Sequence, residues 1–221
     1  MDALRIHYGS ELEQLRLQVE VMAVKVEENL ERMRTALADG APWLGMDAAS
    51  VDQEIDAMNV SLTERCYELI IREAPVASDF RLIVSVVRVL NELERISDHA
   101  VGIAKRASTA LPEVEPNLHD LVLTMADEVM ERFHTARRTW GSMDLALAEE
   151  LATGSRLSEA LHARLVRELV GLEGPTAIEV ALELAAVGRS LERIDDHTSI
   201  IGARLRYLIT GDPAHLAAEV R

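Results

Sequence analysis

An all-α fold, made of two tandem three-helix bundles related by an internal repeat, follows from three observations. The heptapeptide Leu93-Glu94-Arg95-Ile96-Ser97-Asp98-His99 returns as Leu191-Glu192-Arg193-Ile194-Asp195-Asp196-His197, with six of seven positions identical at an offset of 98 residues. Apolar residues make up 48% of the 221, yet aromatics only 3%, so the core must be built from Leu, Val, Ile, Ala and Met. Gly (11) and Pro (6) are sparse, and between them run long stretches whose apolar residues step by three and four.

The first helix carries the seam Leu12, Leu15, Val19, Met22, Val26, Leu30, Met33 and Leu37, with Ser10-x-x-Glu13 as a capping box and Asp39-Gly40 as its stop. A loop over Ala41-Pro42-Trp43-Leu44-Gly45 is expected next. The second helix is expected from about Ser50 to Glu73 on the seam Val51, Ile55, Met58, Leu62, Cys66 and Leu69. After Ala74-Pro75 comes a third helix to about Thr109, apolar on nearly every side and therefore central. Leu111-Pro112-Glu113-Val114-Glu115-Pro116 has linker character and divides the chain into a first bundle, 1–110, and a second, 117–212, followed by a tail, 213–221. The fourth helix starts at Asn117 with Leu118, Leu121, Met125, Val129 and Phe133. Gly141-Ser142 closes it and opens a fifth with Leu157, Leu161 and Leu165 on one face. Gly174-Pro175 leads into a sixth that stops at Gly211-Asp212-Pro213. The small residues Ala177, Ala181, Ala185, Ala186 and Gly188 would let this sixth helix approach a neighbour closely, and the third and sixth are expected to pack on each other between the bundles.

Charge narrows the function. A net charge of −15 leaves too few cations to replace the counterions of a nucleic acid, and an anionic membrane surface is equally disfavoured. Basic protein surfaces and cations are the natural partners. Met1-Asp2-Ala3-Leu4-Arg5 lacks the features of a signal peptide, and the longest apolar run, Leu82 to Leu90, is too short to span a bilayer, so a soluble cytoplasmic protein is expected. The single Cys66 sits on an apolar stripe as a core thiol of a reducing compartment. No nucleophile with a nearby base, Gly-rich phosphate loop or Cys/His zinc spacing occurs, so no enzymatic activity is expected.

The repeat places a Glu-x-x-x-Asp pair in each half: Glu94 and Asp98, Glu192 and Asp196. Residues four apart share a helix face, and like charges there cost roughly 0.2–0.5 kcal/mol in an isolated helix. Something positive should therefore stand opposite, either a metal cation or an arginine. Asp52 and Asp56 on the second helix form another such pair, and an antiparallel bundle brings them beside Glu94 and Asp98. Hard oxygen donors of this kind suit magnesium, calcium, manganese or iron, and zinc is tolerated. His99 and His197 follow the acids as outer partners or surface residues. A rival arrangement, the ferritin-like pairing of Glu-x-x-His motifs, is offered by Glu131/His134 and Glu159/His162, both in the second half.

Leu93-Glu-Arg-Ile-Ser-Asp-His-Ala-Val-Gly-Ile-Ala104, its second copy, Pro75-Val-Ala-Ser-Asp-Phe-Arg-Leu-Ile83 and the closing Tyr207-Leu-Ile-Thr-Gly211 resemble the PhoU family of phosphate-response regulators. The resemblance runs from the first helix to about Gly211. It implies two three-helix bundles with pseudo-twofold symmetry and a negative regulator of the phosphate-starvation response and of phosphate uptake. It further implies an adaptor between the phosphate ABC transporter, through its ATPase subunit, and a sensor histidine kinase, with a homodimer as the expected assembly. Multinuclear metal sites in the family imply Asp52, Asp56, Glu94 and Asp98 as one cluster and Glu192 and Asp196 as part of a second. Three departures stand out: the region Leu151-Ala-Thr-Gly-Ser-Arg156 lacks the family's acidic pair, the asparagine after each motif aspartate is replaced by Gly102 and Ile200, and the loop at Gly40 to Met46 is long. A metal-handling protein of the ferritin-like class is the alternative, and a metal-free helical scaffold the third reading.

Overall fold

The computed structural model describes residues 2–110 and 114–220 and is helical throughout the described residues. Among the described residues seven α-helices run in order: α1 (Asp2–Asp39), α2 (Pro42–Glu73), α3 (Ala77–Ala110), α4 (Pro116–Ser142), α5 (Leu145–Ala152), α6 (Arg156–Val170) and α7 (Ala177–Thr210). Within the expected tail, a 3-10 helix, Pro213–Val220, packs on α7. Part of the expected linker, residues 111–113, lies outside the described residues.

The stops read from sequence are present. Gly40 and Gly211 adopt φ of +65° and +74°, and their N–H groups donate to Ala36 O and Tyr207 O, each at 2.8 Å. Three expectations need correction. Ser10-x-x-Glu13 does not cap α1, which is already helical from Asp2 and carries Ser10 in its interior. The stretch from Ala41 to Gly45 is not a loop: Pro42 occupies the first helical position, where its missing N–H costs nothing, and α2 begins there. The expected fifth helix is two helices. Thr153 and Gly154, the latter at φ +76°, break it, and Ser155 restarts it by accepting a hydrogen bond from the Ser158 N–H at 3.1 Å.

The core is one continuous set of aliphatic side chains, in which Leu15, Met22, Leu30, Ile55, Ile83, Leu90, Ile96, Phe133, Leu184 and Ile194 are inaccessible or nearly so. Its spine is the packing of α3 on α7, as expected, although Gly188 gives close approach to Leu165 of α6 rather than to α3, and Ala185 is exposed. The two run antiparallel: Arg81 near the start of α3 donates to Leu208 O near the end of α7 at 3.3 Å, and Arg106 near the end of α3 meets Glu183 near the start of α7 at 3.0 Å. The halves are joined a second time by α1 and α4. Arg34 meets Asp127 at 2.9 Å, Arg137 bonds both Glu20 and Glu27, and the Trp140 indole donates to Arg16 O at 3.2 Å. Gly202 on α7 is needed for the approach of α5, because a Cβ there would stand 2.5 Å from the Leu151 Cβ and 2.7 Å from the Ala152 nitrogen.

Candidate functional site: two copies of an acidic face

In the first half, α2 and α3 bring Asp52, Asp56, Glu94 and Asp98 into one electrostatic neighbourhood, as the antiparallel arrangement predicted. Burial raises the carboxyl pKa of all four, and the acids then raise one another: Asp98 acts on Asp52, Asp52 on Asp56, Asp98 and Asp56 on Glu94, and Asp56 on Asp98. Arg95 and Lys105 offset part of this repulsion on Asp98. The Ser97 hydroxyl donates to Asp52 Oδ1 at 2.5 Å, and the buried Asn29 amide of α1 donates to Ser97 Oγ at 2.9 Å and to Ala48 O at 3.2 Å. The donor set is chemically that of a hard cation. Among the described residues, however, no three Asp, Glu, His or Cys side chains are already arranged to hold a metal ion.

The second half has the same framework with different contents. One interval separates Val19 from Val122, Val26 from Val129 and Leu30 from Phe133, and it also carries Asn29 to Arg132, Ala48 to Leu151, Asp52 to Ser155 and Asp56 to Glu159. The hydrogen bonds obey that correspondence. Where Asn29 donates to Ala48 O, Arg132 donates to Leu151 O at 3.0 Å; where Asn29 meets Ser97, Arg132 forms an ion pair with Asp195, the repeat counterpart of Ser97. Arg132 also donates to Ser199 Oγ at 2.9 Å, and burial still raises the Asp195 carboxyl against the guanidinium that lowers it.

Glu192 and Asp196 are thus not an open pair. Glu192 is held by Arg189, with His162 Nδ1 at 3.8 Å, and Asp196 meets Arg193 at 3.0 Å. Both line a polar cavity of about 390 Å³ with Glu159, Ser155, Arg88 and Arg95. Here arginines stand against the acids: Arg132 against Asp195, Arg189 against Glu192 and Arg193 against Asp196. The acidic pair missing from Leu151–Arg156 is represented by Ser155 and Glu159, a correspondence hidden because the repeat interval is 98 residues for α3 and α7 but longer for the helices before them.

The ferritin-like pairing is not assembled. His134 Nδ1 lies 2.5 Å from Glu27 on α1, whereas His162 faces Glu192 on α7, and Glu131 and Glu159 are exposed. His99 and His197 do more than border the acids. Their rings stack across the α3–α7 contact with centroids 5.7 Å apart, and His197 Nδ1 is 2.7 Å from the buried Glu92 carboxylate. Glu92 has no acidic counterpart in the second half, where Ser190 stands, so the repeat gave no sign of it. Cys66 is buried, and burial pushes its thiol up to about 12, which makes it an inert core group.

Comparison with known proteins agrees with this architecture. Residues 19–107 match the PhoU domain. The phosphate-specific transport system accessory protein PhoU homolog of Pseudomonas putida is 32% identical over 96% of this chain and 84% of its own length. The phosphate-specific transport system accessory protein PhoU of Escherichia coli K12 is 26% identical over 99% of this chain and 95% of its own. The crystal structure of PhoU from Pseudomonas aeruginosa superposes with a TM-score of 0.87 at 31% identity, covering 93% of this chain and all of that one. The chain belongs to the PhoU family.

Proposed function

We propose that this protein is a non-enzymatic regulator of phosphate transport, an adaptor that reports the state of a phosphate ABC transporter to a sensor histidine kinase and so restrains the phosphate-starvation response. The observation that carries the reading is similarity along 96% of the chain to a protein named for its accessory role in phosphate-specific transport. Support also comes from its charge of −15, which suits basic protein surfaces, and from the lack of any helix, among the described residues, long and apolar enough to cross a membrane. The adaptor acts in the cytoplasm, where both the transporter's ATPase subunit and the kinase domain are reached. Crosslinking and mass spectrometry of the tagged protein in its own cells, at high and low phosphate, tests this. Recovery of the ATPase subunit or the kinase, changing with phosphate, is the expected result; recovery of neither at either phosphate level refutes it.

A second element concerns the first-half acids. Asp52, Asp56, Glu94 and Asp98 raise one another's pKa and have no internal arginine in the place that Arg132 fills in the second half, which supports binding of a divalent or ferric ion such as magnesium, manganese, zinc or iron. Side chains that do not yet converge would close on the ion, drawing α2 to α3. Replacing Glu94 and Asp98 together by Ala should lower the metal retained by the purified chain without unfolding it; metal content equal to wild type would sink the assignment. The second half, with Arg132 in place, should contribute little to that content.

A further inference from the structure

Helices α2 and α3 are joined by Ala74, Pro75 and Val76, and the tip of this hairpin exposes large apolar groups: Ile71 is 83% exposed, Val76 75%, Tyr67 54% and Phe80 46%. Ala74 and Ala77 hold the tip with φ of +45° and +50°, a region that L side chains rarely adopt. Tyr67 and Ile71 follow Val60 and Glu64 along the outer stripe of α2. Glu64, Glu68, Glu73 and Asp79 flank these groups. The nearby cations are already engaged: Arg65 donates to Gln14 at 2.9 Å and to Gln18 at 3.0 Å, and Arg72 is held by Glu11 and by Glu73.

The repeat supplies a built-in comparison. At the α6–α7 hairpin, Val170 and Ile178 occupy the places of Tyr67 and Phe80 and are also exposed, at 84% and 79%. There, however, Arg167 stands where Glu64 stands in the first half. Because α3 and α7 are antiparallel, the two tips lie at opposite ends of a spine that 34-residue helices make about 50 Å long. A second copy of the chain is a poor occupant of the first tip. It carries the same net charge of −15, and its α6–α7 tip, despite Arg164 and Arg167, is outweighed by Glu168, Glu173, Glu179 and Glu183.

We infer that the α2–α3 tip, centred on Ile71 and Val76, is a docking surface for an amphipathic helix of another protein whose apolar stripe is flanked by Lys or Arg. The apolar groups supply the buried anchor and the acidic rim selects a basic partner. The inference rests on the adaptor reading, since it gives that adaptor a contact face.

Three measurements test it. Fluorescence anisotropy of the full chain would use a labelled amphipathic peptide of about 18 residues with a Leu stripe flanked by Lys, and its counterpart flanked by Glu. The Lys peptide should bind the wild type at least about tenfold more tightly than the Glu peptide, and Ile71→Glu with Val76→Glu should weaken it about tenfold, whereas Val170→Glu with Ile178→Glu should change it less than about twofold. Failure of the Lys peptide to bind, or equal losses from the two tips, overturns the inference. Sedimentation of the same proteins that showed self-association lost in the Ile71→Glu, Val76→Glu variant would assign the tip to a second copy and overturn it equally. In cells, a phosphate-starvation reporter separates the two levels. If deleting the whole chain leaves the reporter unchanged, the adaptor reading fails; if deletion derepresses it while the folded Ile71→Glu, Val76→Glu variant behaves as wild type, the docking face alone is wrong.

Discussion

Replacing Arg132 by Met isolates the counter-ion of the second half. The Arg132 and Asp195 side chains are 11% and 10% exposed, so the substitution leaves a carboxylate nine-tenths buried without its cation. Losing one member of a buried pair costs about 3–5 kcal/mol, and here Leu151 O and Ser199 Oγ lose a donor as well. The polar cavity beside Asp195 admits some solvent, which places the expected loss near the lower limit, about 3 kcal/mol. With urea m-values of about 1–3 kcal/mol/M, the midpoint of unfolding followed by circular dichroism should fall by about 1–3 M at pH 7. Adding Asp195→Asn should restore most of the loss, because a neutral amide needs only ordinary hydrogen bonds. The pH dependence has a definite sign. Burial already raises Asp195 above its unfolded value, and removing the guanidinium raises it further, so the native state binds the extra proton and the penalty, full above the native pKa, shrinks as pH falls through it. A loss under about 1 kcal/mol, or one that Asp195→Asn fails to relieve, would refute the view that Arg132 serves as an internal cation.

The first-half acids make a related prediction. All four have raised pKa values, through burial first and their mutual repulsion second, so in metal-free buffer the penalty on the charged forms is present at neutral pH and shrinks as pH falls through the native values; Asp98→Asn should therefore stabilise the chain by about 0.2–0.5 kcal/mol at pH 7, and by progressively less as pH falls, in urea titrations. Gly202→Val should lower the thermal midpoint, since its side chain meets the α5 backbone at the end of Leu151; the overpacking cost of about 1–3 kcal/mol exceeds the helix propensity gained, and an unchanged midpoint would show that α5 can move aside.

Sequence periodicity located the long helices well because a helix buried on one face writes that face every three or four residues. The caps at Gly40 and Gly211 were equally legible, since a left-handed residue ends a helix by local rules alone. The start of α2 was misjudged for the opposite reason. Pro42 and Gly45 read as breakers, yet proline is harmless at the first helical position, and Gly45 lets the helix come within contact of Lys105, a tertiary cause no local rule contains. The α5–α6 break went unseen because Thr153-Gly154 is a weak signal inside an otherwise helical pattern. At the site, Asp52, Asp56, Glu94 and Asp98 were foreseen as neighbours, since their spacing and helix order fix which residues face each other. Arg132 was missed altogether. It lies in a helix that carries no copy of the heptapeptide, and only hydrogen bonds spanning 19 and 63 residues reveal what it does.

Internal duplication gave this chain the same electrostatic problem twice, and the copies have parted in how they meet it. The guanidinium of Arg132 is tethered, so its local concentration beside Asp195 is fixed by the chain and indifferent to the ionic composition of the surroundings. Asn29, in the same place of the other copy, brings no charge, so the acids of α2 and α3 have only Arg95 and Lys105, at their margin, to set against them. One half of the molecule consequently holds its counter-charge in the interior and the other only at the edge of its acidic face. Two copies of one repeat, they therefore differ in how far their acidic faces are open to screening by dissolved salt.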